Sequence, residues 1–157
     1  MLFDDLANAP VTDQRLLYFS ERRPPNAHEL ENTVFFITVD GQKEQVYSPD
    51  NPPAIVTTKG AVEEWTIQNR TAELHEFHMH QIHFLVEEDS GVVIPKRKQQ
   101  LYDVFQVPFW TGHGPYPYIK VKMDFRGPTT GDFVYHCHIL DHEDMGMMAI
   151  IRVLPNH

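Results

Sequence analysis

Residues 132–147 read Asp132-Phe133-Val134-Tyr135-His136-Cys137-His138-Ile139-Leu140-Asp141-His142-Glu143-Asp144-Met145-Gly146-Met147. The stretch holds the only cysteine of the chain and three of its ten histidines. Its opening residues are aromatic and β-branched, the composition of a strand. A strand that stays extended through His138 sends successive side chains to opposite faces. His136 and His138 then face one way and Cys137 the other. Upstream, His75-Glu76-Phe77-His78-Met79-His80 obeys the same rule. His78 and His80 share a face, and His75 lies on the opposite one. If the two strands are neighbours, the residues fall into two sets placed back to back. One is His75 and Cys137, joined by His142 and Met147, which follow the cysteine at regular five-residue steps. The other is His78, His80, His136 and His138.

The chemistry of the two sets differs. A thiolate, two imidazoles and a weak axial thioether are the ligand set of a blue-copper electron-transfer centre. Met147 also fits the apolar run Met147-Met148-Ala149-Ile150-Ile151 as a core residue, but its step from His142 favours the axial role. Four imidazoles suit copper, zinc, iron or nickel and do not choose among them. Their position beside Cys137 argues for a partner redox centre, because an electron on the thiolate is one residue from His136 and from His138. A structural zinc site often draws on more than one cysteine. One cysteine with an excess of histidines points away from it.

The rest of the chain reads as all-β. Strands are expected at Arg15–Ser20, Thr33–Val39, Ala54–Thr58, Ala61–Gln68, His80–Glu87, Leu101–Val107, Ile119–Phe125, Asp132–His136 and Met147–Leu154, separated by Gly and Pro turns. Asp40-Gly41 is a hairpin signal. Residues 1–14 lack periodicity and read as a linker tail ahead of a domain at 15–157. Leu140–Met145 reads as a short helical turn carrying His142, and Gly112–Pro117 as a rigid surface loop. At 157 residues the chain has the size of one domain with a sizeable core. Its net charge of −9 disfavours nucleic acid, whose phosphates need basic patches. One cysteine makes no internal disulfide, no apolar run is long enough to span a membrane, and no signal-peptide pattern is visible.

HEFHMHQIHF (residues 75–84) and HCHILDHEDMGMM (136–148) resemble the last two copper-binding motifs of the multicopper oxidases, the laccase-like group. VEEWTIQN (62–69) and LYDVFQVP (101–108) are similar to flanking segments of the same domain, so the resemblance spans roughly residues 30–155. It implies a cupredoxin-like Greek-key β-sandwich or barrel of about eight strands with a short helical turn after Cys137. It also implies that His75, Cys137, His142 and Met147 bind a type 1 copper, that His78 binds a type 2 copper, and that His80, His136 and His138 bind a type 3 pair. Electrons from a small-molecule or metal-ion reductant then pass through Cys137 to a cluster that reduces O2 to water. Glu143 matches an acidic residue that passes protons in some members. Glu76 stands where many members carry proline, and Gln81 where glycine is usual. His83 falls at a different offset from the family's extra histidine. The resemblance further implies that the domain supplies only half of the cluster's histidines. The remainder belong to N-terminal cupredoxin domains of the same oxidase, for His28, His113 and His157 are isolated. The chain thus reads as the last domain of a longer, periplasmic or extracellular oxidase. A single-domain blue-copper electron carrier is the other class, and such a carrier has no need of the second set.

Overall fold

Alternation along the strands becomes two packed sheets. The computed structural model describes residues 2–22, 33–139 and 146–155. After a short helix α1 (Leu2–Asn8) come β1 (Asp13–Arg22), β2 (Val34–Val39), β3 (Ile55–Thr58), β4 (Val62–Asn69), β5 (His75–Met79) and β6 (Phe84–Asp89). There follow β7 (Val92–Val93), β8 (Leu101–Tyr102), β9 (Val104–Val107), β10 (Tyr118–Asp124), β11 (Gly131–Cys137) and β12 (Met148–Leu154). One sheet runs β2-β1-β4-β10-β6-β7, with β8 also against β6; the other runs β3-β12-β11-β5-β9. Both sheets are mixed, because β1 lies parallel to β4 and β12 parallel to β3. The core between them is rich in aromatic side chains. Trp65 of one sheet meets Tyr135 of the other edge-on at 5.5 Å, and Phe77 meets Phe84 at 5.4 Å. Each fully buried large apolar side chain contributes about 1.5–3 kcal/mol. Burial also raises the Tyr135 phenol above its ordinary pKa.

Several expectations are corrected. Residues 2–8, part of the stretch read as a linker tail, form a helix. Leu6 and Ala9, about one turn apart, bury against Val62 and Leu85. Two turns of helix are too short for periodicity to register. Asp40-Gly41 does make a tight turn, with the Gln42 N–H donating to the Val39 carbonyl at 3.0 Å. No strand follows it, and β2 pairs with β1 instead. The expected strand Leu101–Val107 divides at Asp103, β8 joining one sheet and β9 the other. The expected strand His80–Glu87 begins only at Phe84, because the chain turns sharply at Gln81. These divisions, with the short β7, give twelve strands among the described residues. The helical turn expected at Leu140–Met145 lies outside the described residues. Among those residues, no helix is long and apolar enough to cross a membrane.

Candidate metal centre

β5 and β11 are hydrogen-bonded neighbours, which is the condition the parity argument required. Tyr135 pairs with Met79, His136 with His78, and Cys137 with Phe77. Along β5, His75, Phe77 and Met79 point into the core, while Glu76 and His78 point away from it. Along β11, Phe133, Tyr135 and Cys137 point inward.

On the core side, His75 and Cys137 are both fully buried, and His75 Nδ1 stands 3.6 Å from Cys137 Sγ. A metal ion bound at about 2.0 Å to nitrogen and about 2.3 Å to sulfur holds two such donors at about this separation. The Glu76 N–H donates to Cys137 Sγ at 3.4 Å. Met147 is buried as well, and its carbonyl accepts the Cys137 N–H at 3.1 Å. Phe19 stacks on the His75 ring at 4.9 Å and Phe35 meets it edge-on. His142 and Glu143 lie outside the described residues.

On the far side, His78, His80 and His136 offer ligand atoms that all lie within 4.8 Å of one another. Backbone carbonyls orient two of them. His78 Nδ1 donates to the Asp103 carbonyl at 2.7 Å, and His136 Nδ1 to the Cys137 carbonyl at 2.8 Å. A carbonyl only accepts, so each ring carries its hydrogen on Nδ1 and, when neutral, bares Nε2. His136 Nε2 then accepts from His80 Nε2 at 3.0 Å, a proton that a bound cation would replace. His138 sits at the exposed rim, its ring 5.0 Å from that of His78 and 6.0 Å from that of His136. The cluster opens onto a cleft of about 370 Å3 that also touches Gln81, Ile82, His83 and Asp103. The buried sulfur–imidazole pair and the imidazole cluster fit the softer and the borderline ligand sites of copper respectively.

The sequence motifs did not disclose the supports. Asp103 contributes only its carbonyl, at the point where β8 and β9 part company. Gln81 has φ 71°, and the Ile82 N–H donates to the His80 carbonyl at 2.9 Å across it. That is a strained γ-turn directly after His80. Asn69 and Thr71, in the turn before His75, hydrogen-bond to each other and, through Thr71, to His75. The one signal for them was local: Asn and Thr two residues apart are turn formers.

The two sheets, with a buried thiol and imidazole backed by a histidine cluster, make a cupredoxin-like domain with copper-type donors. The sequence profile described as "Multicopper oxidase" matches residues 16–157. The chain belongs to the multicopper oxidase family. A multicopper oxidase of Staphylococcus haemolyticus is 35% identical over 129 residues, covering 80% of this chain and 26% of that protein. A laccase of Haloferax volcanii is 29% identical over 129 residues, covering 76% of this chain and 19% of that protein. The solved multicopper oxidase of Campylobacter jejuni, described as a metallo-oxidase, superposes with a TM-score of 0.72 at 23% identity. That superposition covers 94% of this chain and 31% of that one, and it bears on the fold alone. The chain therefore spans about a quarter of the length of the staphylococcal relative it matches. Copper is the cofactor that membership of this family carries.

Proposed function

We propose that the chain is the C-terminal, copper-binding domain of a longer multicopper oxidase. In this reading His75, Cys137, His142 and Met147 hold the type 1 copper. His78 holds the type 2 copper, and His80, His136 and His138 hold the type 3 pair. Copper bound at these positions supplies one-electron oxidation of a small-molecule or metal-ion reductant and reduction of O2 to water.

The observation that carries the reading is the alternation about Cys137. Its thiol faces His75 on the core side, while the residues either side of it are the imidazoles of the far face. One residue thereby joins both donor sets through the shortest covalent route. The backbone carbonyls of Asp103 and Cys137 hold His78 and His136 with the hydrogen on Nδ1, so that Nε2 is the accepting atom, the form that ligates. Glu143 moves protons towards the cluster. The domain is taken as 15–157, with 1–14 as a lead-in that packs on it through Leu6 and Ala9 and enters β1 at Asp13. The chain supplies half of the cluster's histidines, and N-terminal cupredoxin domains of the same periplasmic or extracellular oxidase supply the others. No observation favours a single-domain electron carrier, which leaves the four far-face imidazoles without a use.

The test is an absorption spectrum with a copper count, on protein loaded anaerobically and then oxidised. The type 1 site alone gives an intense red-region thiolate-to-copper band with about one copper per chain. A higher count means that a second copy completes the cluster. Cys137→Ser is expected to abolish the band, and retained blue colour in that variant rules out the ligand assignment.

A further inference from the structure

We propose that Asn69 and Thr71 are positioning residues that set the tautomer of His75 and so turn its Nδ1 lone pair towards Cys137. The inference rests on the reading of His75 as a type 1 ligand. It follows from the donors and acceptors that meet at Thr71 in a buried network among the described residues.

Asn69 is fully buried and all four of its amide positions are used. Its Nδ2 donates to the Glu73 carbonyl at 2.8 Å and to the Val107 carbonyl at 3.2 Å. Its Oδ1 accepts from the Thr71 N–H at 2.9 Å and from the Thr71 hydroxyl at 2.8 Å. A flipped amide would set NH2 against an N–H donor and oxygen against two carbonyls, so the orientation is unique. Asn69 Oδ1 only accepts, and at 2.8 Å two oxygens without a hydrogen between them would repel, so the hydroxyl hydrogen of Thr71 lies on this contact. The Glu73 carbonyl, also near that hydroxyl at 3.1 Å, is likewise only an acceptor. With its hydrogen committed, Thr71 Oγ1 can only accept. It takes the Glu73 N–H at 3.2 Å and meets His75 Nε2 at 2.8 Å. His75 must then carry its hydrogen on Nε2. Nδ1 is left bare, and it is the atom 3.6 Å from Cys137 Sγ. The turn is pinned from outside as well, since the Trp110 N–H donates to the Thr71 carbonyl at 2.7 Å and the Asn69 N–H to the Pro117 carbonyl at 2.9 Å.

The first measurement is the long-range 15N–1H correlation pattern of the His75 imidazole in the metal-free full chain. The expected pattern is the Nε2–H tautomer; an Nδ1–H pattern overturns the proposal without any variant. Thr71→Val keeps the shape and removes the hydroxyl. It is expected to mix the tautomers and to weaken copper binding at the thiolate site by about 10–100-fold, read from the blue band during copper titration. Thr71→Ser restores both. Asn69→Leu, which removes the oxygen that takes the Thr71 hydroxyl hydrogen, follows Thr71→Val. If Thr71→Val does not fold, Thr71→Ser and Asn69→Leu carry the comparison. Thr71→Val with the parent tautomer and parent copper affinity overturns the proposal. A changed tautomer with unchanged affinity leaves the relay standing and removes His75 from the ligand set.

Discussion

Gln81 occupies a backbone conformation that side chains seldom adopt. With φ at 71° and a hydrogen bond spanning it, its Cβ crowds its own main chain. Glycine is usual at this place in the family the motif resembles, and the turn geometry gives the physical reason. Gln81→Gly is expected to stabilise the fold by up to about 1 kcal/mol, part of the relieved strain being offset by the freer unfolded chain. The urea midpoint measures it, and a lower midpoint for the glycine variant refutes the strain argument. At this scale much of the site was legible. Period-two geometry alone separated His75 and Cys137 from His78, His80 and His136, because the side of a strand is fixed by residue parity. Asn69 and Thr71 were not legible. Neither carries ligand chemistry, and their role exists only once the turn brings them beneath His75.

Elements were legible where alternation decides them and illegible where a partner decides them. β4, β10, β11 and β12 lie within a residue or so of their expected bounds, since each buries one face along most of its length. The run from Leu101 to Val107 has uniform β character, and nothing local marks Asp103 as a crossing between sheets. The crossing follows from long-range pairing with β6 on one side and β5 on the other. The turn at Asp40 was real, but a hairpin needs a returning strand, and β2 found β1 first. Helix α1 is held by Leu6 in the hollow over Val62 and Leu85, by the Lys122 ammonium donating to the Ala9 carbonyl, and by Lys96 donating to Asn8 at 2.6 Å. Leu6→Ala is expected to cost about 2 kcal/mol, the low end for a buried leucine because the helix lies at the margin of the core. Faster amide exchange confined to residues 2–9 would accompany it. A variant with unchanged stability means the helix is not docked in solution.

Across the molecule, one carboxyl gives the fold a distinctive pH dependence. Burial, then a hydrogen bond with Glu64 across the sheet, raises Glu87 from an ordinary value of 4.5 to about 7. The folded chain therefore keeps a proton that the unfolded chain has released. The contribution is fully present below the unfolded value and is lost as pH rises through the folded one. Glu87→Gln, neutral throughout, is expected to flatten that decline. Because Glu87 is only half-buried, solvent screening limits the gain to about 1 kcal/mol near pH 8. Urea midpoints taken at about pH 5 and about pH 8 measure it, and parallel declines in the two proteins defeat the assignment. The histidines also differ in what orients them. His78 and His136 lean on carbonyls of the main chain, which every amino acid possesses, so no single side-chain replacement at Asp103 deletes the acceptor. His75 leans on a hydroxyl and an amide that one nucleotide change can remove. A single-base change thus spares the contacts that orient the far-face imidazoles and can strike those that orient the buried imidazole beside Cys137.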